Sequence, residues 1–364
     1  MTGPARAPLP RESKRLDKRL ELLSQWLRND LRFDFERIAP ASVDASFRRY
    51  FRVWRGAETF IVMDAPPEKE DTGPFTRIAR MLADVGVNVP RILEEDSERG
   101  FLLLTDLGTR LYLDDLNASA TASNGEVDEL YDDATRALCA IQARGLGHAA
   151  QLPDYDRAAL TREMDLFPEW FCTKHLKLEL SDDDREMIAT TFDALCRAAL
   201  EQPQVFVHRD YHSRNLMVCN GAASSTGSNP GILDFQDAVR GAITYDLVSL
   251  FKDCYIRWPV DRVRDWVVDY RASAAAAGVE TGADDAGFLR WFHLMGAQRH
   301  IKVLGIFARL FHRDGKPRYL HDLPLTLDYV REICPHHPEL RALGRFLEDR
   351  VVPILKQRTS EALG

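Results

Sequence analysis

The stretch 205–218, VFVHRDYHSRNLMV, limits what this chain can fold into more than any other part of it. It carries H-R-D-x-x-x-x-N as His208, Arg209, Asp210 and Asn215 between two short apolar runs, and after a polar insert the text resumes as GILDFQD with Asp234 inside it. Runs this short and rich in β-formers predict strands around a loop, with NLMV and GILDF paired as a hairpin. The grouping suits phosphoryl transfer, in which several negative charges must be held and one proton received. Asp210 is the candidate to orient an acceptor hydroxyl and take its proton. Asn215 offers a metal a neutral oxygen and Asp234 a charged one. A chance HRD tripeptide is the competing reading, and the strands on either side with the aspartate downstream make it the weaker one.

His208 is expected to brace the loop backbone. His208 and His212 lie four apart, but the segment lacks the glutamate of H-E-x-x-H and the periodicity of a helix, so a zinc site is not expected. His212 is a candidate substrate contact or a solvent-facing ring. Asp237 can reach toward the metal region or the acceptor. Asp246, just before an apolar helical run, reads first as a helix-start residue and second as a brace of the catalytic loop.

The rest of the chain divides into two lobes, since 364 residues with 45% hydrophobic exceed what one compact core usually holds. A flexible tail is expected over 1–13, a nucleotide-binding lobe over 14–110 and a catalytic lobe over 111–364. The first lobe reads as α+β: a leucine stripe at 16, 20, 23 and 27, a hairpin around Gly56, a helix carrying Phe75, Ile78 and Leu82, and a strand over 101–105. The second is mainly helical, with stripes through Leu130, Ala134, Leu138 and Ile141 and through Phe192, Leu195 and Ala199, the latter begun by Ser181. The small polar stretches 117–126 and 220–231 are expected as surface loops. Lys and Arg number 48 against 56 Asp and Glu, a net −8, so no nucleic-acid partner is expected. Scattered cysteines read as free thiols, no signal-type segment opens the chain, and the apolar stretch 294–311 is broken by Arg299, His300, Lys302 and Arg309. A cytoplasmic, monomeric protein follows as the expectation.

No G-x-G-x-x-G and no Walker motif is present. The candidate phosphate cover is the turn DASFRR over 44–49, where Ser46 and the amides through Phe47 can meet phosphates and Arg48 or Arg49 can add charge. The alternative leaves these arginines facing solvent on an edge strand. A strand lysine is missing from ETFIVMDAP, and Lys69 is the nearest. Trp170, Trp258 and Trp266 can stack on a sugar or serve as core aromatics.

The segments HRDYHSRN and ILDFQDAVRGAITYDLVSL resemble those of the aminoglycoside phosphotransferase superfamily, which implies a two-lobed, protein-kinase-like α+β fold with a small β-rich first lobe and a mainly helical second lobe. Within it, DASFRRYFRV, VMDAPPEKED and RHIKVLGIFARLFHRDGK are similar to the bacterial anomeric kinases of N-acetylmuramate and N-acetylglucosamine, from about residue 20 to about residue 350. The resemblance implies ATP and Mg2+ as cofactors, Asp210 as base and Asn215 and Asp234 as metal ligands. It implies transfer of the γ-phosphate to the C1 hydroxyl, giving an α-1-phosphate for peptidoglycan recycling toward UDP-N-acetylmuramate. Arg209 stands where small-molecule members often carry glycine. The partner of the lactyl carboxylate stays open among His212, Arg214 and Arg240. An aminoglycoside acceptor would call for an acidic pocket, for which Asp182, Asp183 and Asp184 are available, although a helix start explains them more simply. Choline- or homoserine-type acceptors share the same core chemistry. A scaffold without catalysis has no need of Asp210, Asn215 and Asp234 together.

Overall fold

Side-chain alternation builds the first lobe of the computed structural model, which describes residues 10–43, 47–119, 124–219 and 228–363. Strands β2 (Arg49–Arg55) and β3 (Glu58–Asp64) form the expected hairpin, Arg55 opposite Glu58, and Gly56 closes it at φ 58°, a left-handed backbone that glycine adopts without a Cβ clash. With β1 (Arg37–Val43), β4 (Ile92–Asp96) and β5 (Phe101–Thr105) they make an antiparallel sheet in the order β1-β2-β3-β5-β4. β5 is buried throughout because both faces of the sheet are covered. Phe101 and Leu103 join Phe51, Val53 and Val62 against Leu23 of α1 (Pro10–Gln25) and Leu27 of the π-helical turn that follows it. Leu102 and Leu104 turn the other way, into the main core with Phe75, Ile78 and Leu82 of α2 (Gly73–Val85). This one-residue switch between two cores is the strand period at work, and each large apolar side chain so buried contributes about 1.5–3 kcal/mol. Of the tail expected over 1–13, residues 1–9 lie outside the described residues and Pro10 already opens α1.

The second lobe is mainly helical: α3 (Tyr112–Ser119), α4 (Asn124–Arg144), α5 (Leu146–Ala149), α6 (Arg157–Met164), α7 (Asp182–Leu200), α8 (Tyr245–Phe251), α9 (Val260–Ala276), α10 (Asp285–His312), α11 (Leu323–Ile333), α12 (Arg341–Phe346) and α13 (Val352–Leu363). Between α7 and α8 run two ribbons, β6 (Gln204–Val207) with β9 (Val239–Ala242) and β7 (Leu216–Met217) with β8 (Gly231–Ile232). The NLMV–GILDF hairpin is therefore present, while residues 220–227 of the expected loop lie outside the described residues.

The loop expected over 117–126 is a correction. Residues 117–119 finish α3 and 124–126 open α4, leaving only 120–123 outside the described residues. Fully buried Leu116 anchors α3, and Glu126 in the first turn of α4 complements the helix dipole, which outweighs the modest propensity cost of Ser and Asn. The Ser181 start forms as a capping box: Ser181 Oγ accepts the Asp184 N–H and the Asp184 carboxylate accepts the Ser181 N–H, so Asp182–Asp184 are a helix start. Trp266 stacks on Tyr131 at 4.4 Å with Trp258 edge-on, a core arrangement, whereas Trp170 lies under the Lys174 ammonium.

α10 crosses the lobe and packs against α7, α8, α11 and the π-helical segment Phe167–His175. Gly305 allows this approach, since a Cβ there would meet the Leu166 backbone carbon at 2.4 Å. The expected stripe of Leu294, Ala297, Ile301, Leu304 and Phe307 is buried, but Arg299, His300 and Lys302 are buried too, at 4%, 0% and 6% exposure. Such polar groups inside an apolar helix require partners: Arg299 finds the Arg209 carbonyl, His300 the Lys252 carbonyl, and Lys302 the Tyr245 hydroxyl and Glu163. Among the described residues no helix is long and apolar enough to cross a membrane, and all six cysteines are free.

Candidate active site

The loop 208–215 leaves β6 and is held residue by residue. The His208 and Arg209 N–H groups donate to the two oxygens of Asp246, at 2.7 and 3.0 Å. The Arg209 carbonyl accepts from Arg299 Nη1 at 2.9 Å. The Asp210 N–H donates to His208 Nδ1 at 3.2 Å, and the Asp210 carbonyl accepts from the His212 N–H and Asn215 Nδ2, both at 3.0 Å. His208 thus braces the loop as expected. Asp246 does not cap α8: no side-chain bond caps that helix, and its carboxylate is turned onto the loop instead. Two orphan amides of a strand end, buried without other partners, attract the carboxylate more strongly than a helix turn does.

Arg209 sits at φ 78° and Asp234 at φ 62°, so two of the four non-glycine residues with left-handed backbone among those described belong to this site. For Arg209 the strain is over-determined. Its N–H and carbonyl are fixed as above, and its guanidinium makes a close ion pair with Glu163. Glu163 also takes Lys302 Nζ at 2.9 Å and a short hydrogen bond from the Tyr155 hydroxyl. Tyr245 OH accepts from both Arg299 and Lys302, closing the layer beneath the loop.

That layer sets the charge of Asp210. Burial pushes the Asp210 carboxyl up, but Arg299, whose Nη2 lies 3.8 Å from Oδ1, together with Lys302, His212 and Arg209, pulls it down to about 2. The side chain remains 41% exposed toward the cleft. Asp246 goes the other way: burial raises it to about 7 against the pull of the His208 and Arg209 amides. Burial lowers His208 to about 4, so its ring is neutral and its Nδ1 is free to accept.

Asp210, Asn215 and Asp234 come together. The Leu233 N–H donates to the Asn215 carbonyl at 2.9 Å, carrying Asp234 over the loop, and Asn215 Nδ2 reaches Asp234 Oδ2 at 3.3 Å. Gln236 Nε2 steadies Asp234 Oδ1 at 2.8 Å. Because Nδ2 of Asn215 is engaged by protein oxygens, its amide oxygen is the end left for a cation. One amide oxygen and one carboxylate are hard donors that fit magnesium, which takes few protein ligands and completes its shell with phosphate and water. Among the described residues no three His, Cys, Asp or Glu cluster as a larger metal site.

Other expected residues are placed less uniformly. His212 is half-buried and perpendicular to the Tyr255 ring at 5.5 Å, and the Arg214 guanidinium carbon lies over the same ring, 3.4 Å from its centre. Asp237 is exposed beyond Asp234, its carbonyl 3.4 Å from Arg209 Nη1. Arg240 is on β9, paired with Asp154 at 2.7 Å. At the first lobe Ser46 lies outside the described residues, and Phe47 is 58% exposed beneath the Lys69 ammonium. Arg48 pairs with Glu70 at 3.4 Å. β2 is an inner strand, so Arg49 is not an edge arginine facing solvent; it joins Arg19 on the fully buried carboxylate of Asp64, at the end of the strand that lacks a lysine.

Sequence reasoning misses Arg299, Lys302, Glu163, Tyr155 and Tyr245. A signal for the first two is present in the text: cations on an apolar helix speak against membrane insertion, but they also announce buried partners elsewhere in the fold.

Residues 37–284 match the model of the phosphotransferase enzyme family. The chain is 48% identical over 310 residues to an N-acetylmuramate/N-acetylglucosamine kinase of Pseudomonas aeruginosa, covering 85% of this chain and 87% of that one. Against the kinase of the same name from Pseudomonas putida it is 46% identical over 344 residues, covering 92% and 97%. Among solved structures, the GDP complex of wild-type aminoglycoside 2'-phosphotransferase-IIIa superposes with a TM-score of 0.55 at 16% identity, over 85% of this chain and 98% of that one. An ethanolamine kinase of Plasmodium vivax gives 0.56 at 13%, over 89% of each. The two-lobed, kinase-like fold and the assembled loop agree with the sequence match, and the chain belongs to the phosphotransferase enzyme family.

Proposed function

We propose that this chain moves the γ-phosphoryl group of ATP onto the C1 hydroxyl of N-acetylmuramate and N-acetylglucosamine, giving the α-1-phosphate. The observation that carries this reading is the near end-to-end similarity to kinases of those two sugars, at 48% and 46% identity. In this reading residues 14–110 receive the nucleotide, with the turn from Ser46 through Phe47, Arg48 and Arg49 against its phosphates, and residues 111–364 hold the sugar and the catalytic loop. His212, Arg214, Asp237 and Arg240 are the acceptor-side candidates. The protein works as a monomer in the cytoplasm, and its product feeds the recovery of wall sugar toward UDP-N-acetylmuramate.

The chemistry follows from the loop. Asp210 accepts a hydrogen bond from the C1 hydroxyl and aims its oxygen at the γ-phosphorus. As the new O–P bond forms and the bond to the ADP oxygen breaks, the hydroxyl proton passes to the carboxylate. Arg299 keeps that carboxylate ionised and weakly basic, which suits a loose transition state in which the proton leaves late. A hemiacetal hydroxyl is more acidic than an ordinary alcohol, so a weak base suffices for it. Asn215 and Asp234 would hold magnesium, which would supply neutralisation of phosphate charge.

The test is ADP release by the purified protein with magnesium, ATP and a panel of N-acetylmuramate, N-acetylglucosamine, kanamycin and choline, with Asp210→Asn as control. Turnover on the two amino sugars that the variant loses supports the reading; turnover on kanamycin or choline alone overturns the acceptor assignment.

A further inference from the structure

Three side chains are open as the partner of an acceptor carboxylate, and their surroundings differ in kind. Arg240 is engaged by Asp154 at 2.7 Å and fixed in the β6–β9 ribbon. His212 stands perpendicular to the Tyr255 ring, and its Nδ1, though without a hydrogen-bond partner, is shut off from solvent. Arg214 is different: its guanidinium lies 3.4 Å from the Tyr255 ring centre, and no hydrogen bond or ion pair binds it among the described residues. Asp322 feels its charge but makes no ion pair with it.

The platform beneath Arg214 is rigid. Asp253, 2% exposed, accepts the Ser213 N–H at 3.0 Å and a short bond from the Ser213 hydroxyl on one oxygen, and the Tyr255 N–H at 3.1 Å on the other. One buried carboxylate thus ties the residue before Arg214 to the ring on which Arg214 lies. A guanidinium stacked by its face on a ring keeps its planar edge, with its parallel N–H donors, free for hydrogen bonding. That edge matches a carboxylate bidentately, and it is already ordered before any ligand arrives.

Arg214 follows Asp210 by four residues in the same loop. Four extended residues span at most about 14 Å, and two turns shorten the path: the His212 N–H donates to the Asp210 carbonyl at 3.0 Å and the Asn215 N–H to the His212 carbonyl at 2.8 Å. A pyranose with its C1 hydroxyl at Asp210 carries its C3 substituent two ring atoms from C1, well inside that upper bound. N-acetylmuramate bears a lactyl carboxylate at that position, and N-acetylglucosamine bears a neutral hydroxyl.

We infer that Arg214, stacked on Tyr255, reads the lactyl carboxylate and sets the preference between the two sugars, an inference that rests on the acceptor reading above. The experiment compares kcat/KM for both sugars in the wild type, Arg214→Gln and Arg214→Lys. The glutamine variant is expected to lower the N-acetylmuramate to N-acetylglucosamine ratio about tenfold or more, mostly through KM, the share of one charge-assisted contact. The lysine variant keeps charge without the planar fork and falls between. A loss of folded protein lowers both rates alike and leaves the ratio untouched. An unchanged ratio in both variants overturns the role of Arg214 while the acceptor reading stands; a wild type that phosphorylates neither sugar overturns both.

Discussion

Replacing Arg209 by glycine and by alanine separates backbone strain from ion pairing at the loop 208–215. Arg209 holds φ at 78°, which costs a residue with a Cβ about 1–2 kcal/mol. Its guanidinium pairs with Glu163, the two side chains 23% and 16% exposed, and a hydrogen bond to a charged group of this kind contributes about 1.5–3 kcal/mol. Losing it does not strand Glu163, which keeps Lys302 and Tyr155, so the lower end of that range, about 1.5–2 kcal/mol, applies to the alanine variant, which loses the pair and keeps the strain. Glycine loses the same pair but relieves the strain, at an unfolded-chain entropy cost of about 0.5–1 kcal/mol. Arg209→Gly should therefore be more stable than Arg209→Ala by about 0.5–1 kcal/mol, the reverse of the order at an ordinary position. Urea unfolding of the two variants side by side measures this. An alanine variant as stable as the glycine variant, or more so, would mean that the loop does not hold Arg209 under strain.

Further expectations follow from the same contacts. Asp246→Asn leaves one acceptor oxygen for two buried amides; stability should fall by about 1–3 kcal/mol and kcat by about a hundredfold as Asp210 shifts, with an unchanged kcat counting against the brace. Gly305→Ala forces a methyl to 2.4 Å from the Leu166 backbone and should cost about 1–3 kcal/mol in thermal or urea unfolding, whereas a neutral effect would show that α10 can shift freely. At Glu163 burial raises the carboxyl, but Lys302 and Arg209 outweigh it and hold it below its ordinary value. Its stabilisation is present above the unfolded pKa of about 4.3 and is lost as pH falls through the lowered folded value. Glu163→Gln should therefore melt well below the wild type at pH 7, and the gap should close on acidification; a gap independent of pH would contradict the charge argument.

The meeting of Asp210, Asn215 and Asp234 is legible in the sequence because their spacing is local: a loop between two strands fixes Asp210 and Asn215, and the hairpin returns Asp234 beside them. The hairpin at Gly56, the Ser181 cap and the leucine stripe of α1 are legible for the same reason, each being decided within a few residues. What holds the loop is not. Asp246 comes from 38 positions away and Arg299 from 90, and nothing in the text YDLVSL distinguishes a carboxylate that caps a helix from one that reaches back to a strand end. That Asp64 holds Arg49 is not legible, because the two lie across a strand pair and meet only once β2 and β3 are in register. The helical ends at 117–119 and 124–126 escape notice because small polar residues fit loops and helix ends equally well.

Anomeric transfer with Asp210 as the base stands or falls on the position of the transferred phosphate, read by phosphorus and proton NMR on the product formed from N-acetylmuramate, magnesium and ATP. A single phosphate on C1 in the α configuration is expected, with loss of the free reducing end, and no product with Asp210→Asn. Phosphate on another hydroxyl would refute the anomeric assignment, and an equal yield from the variant would refute the role of the base.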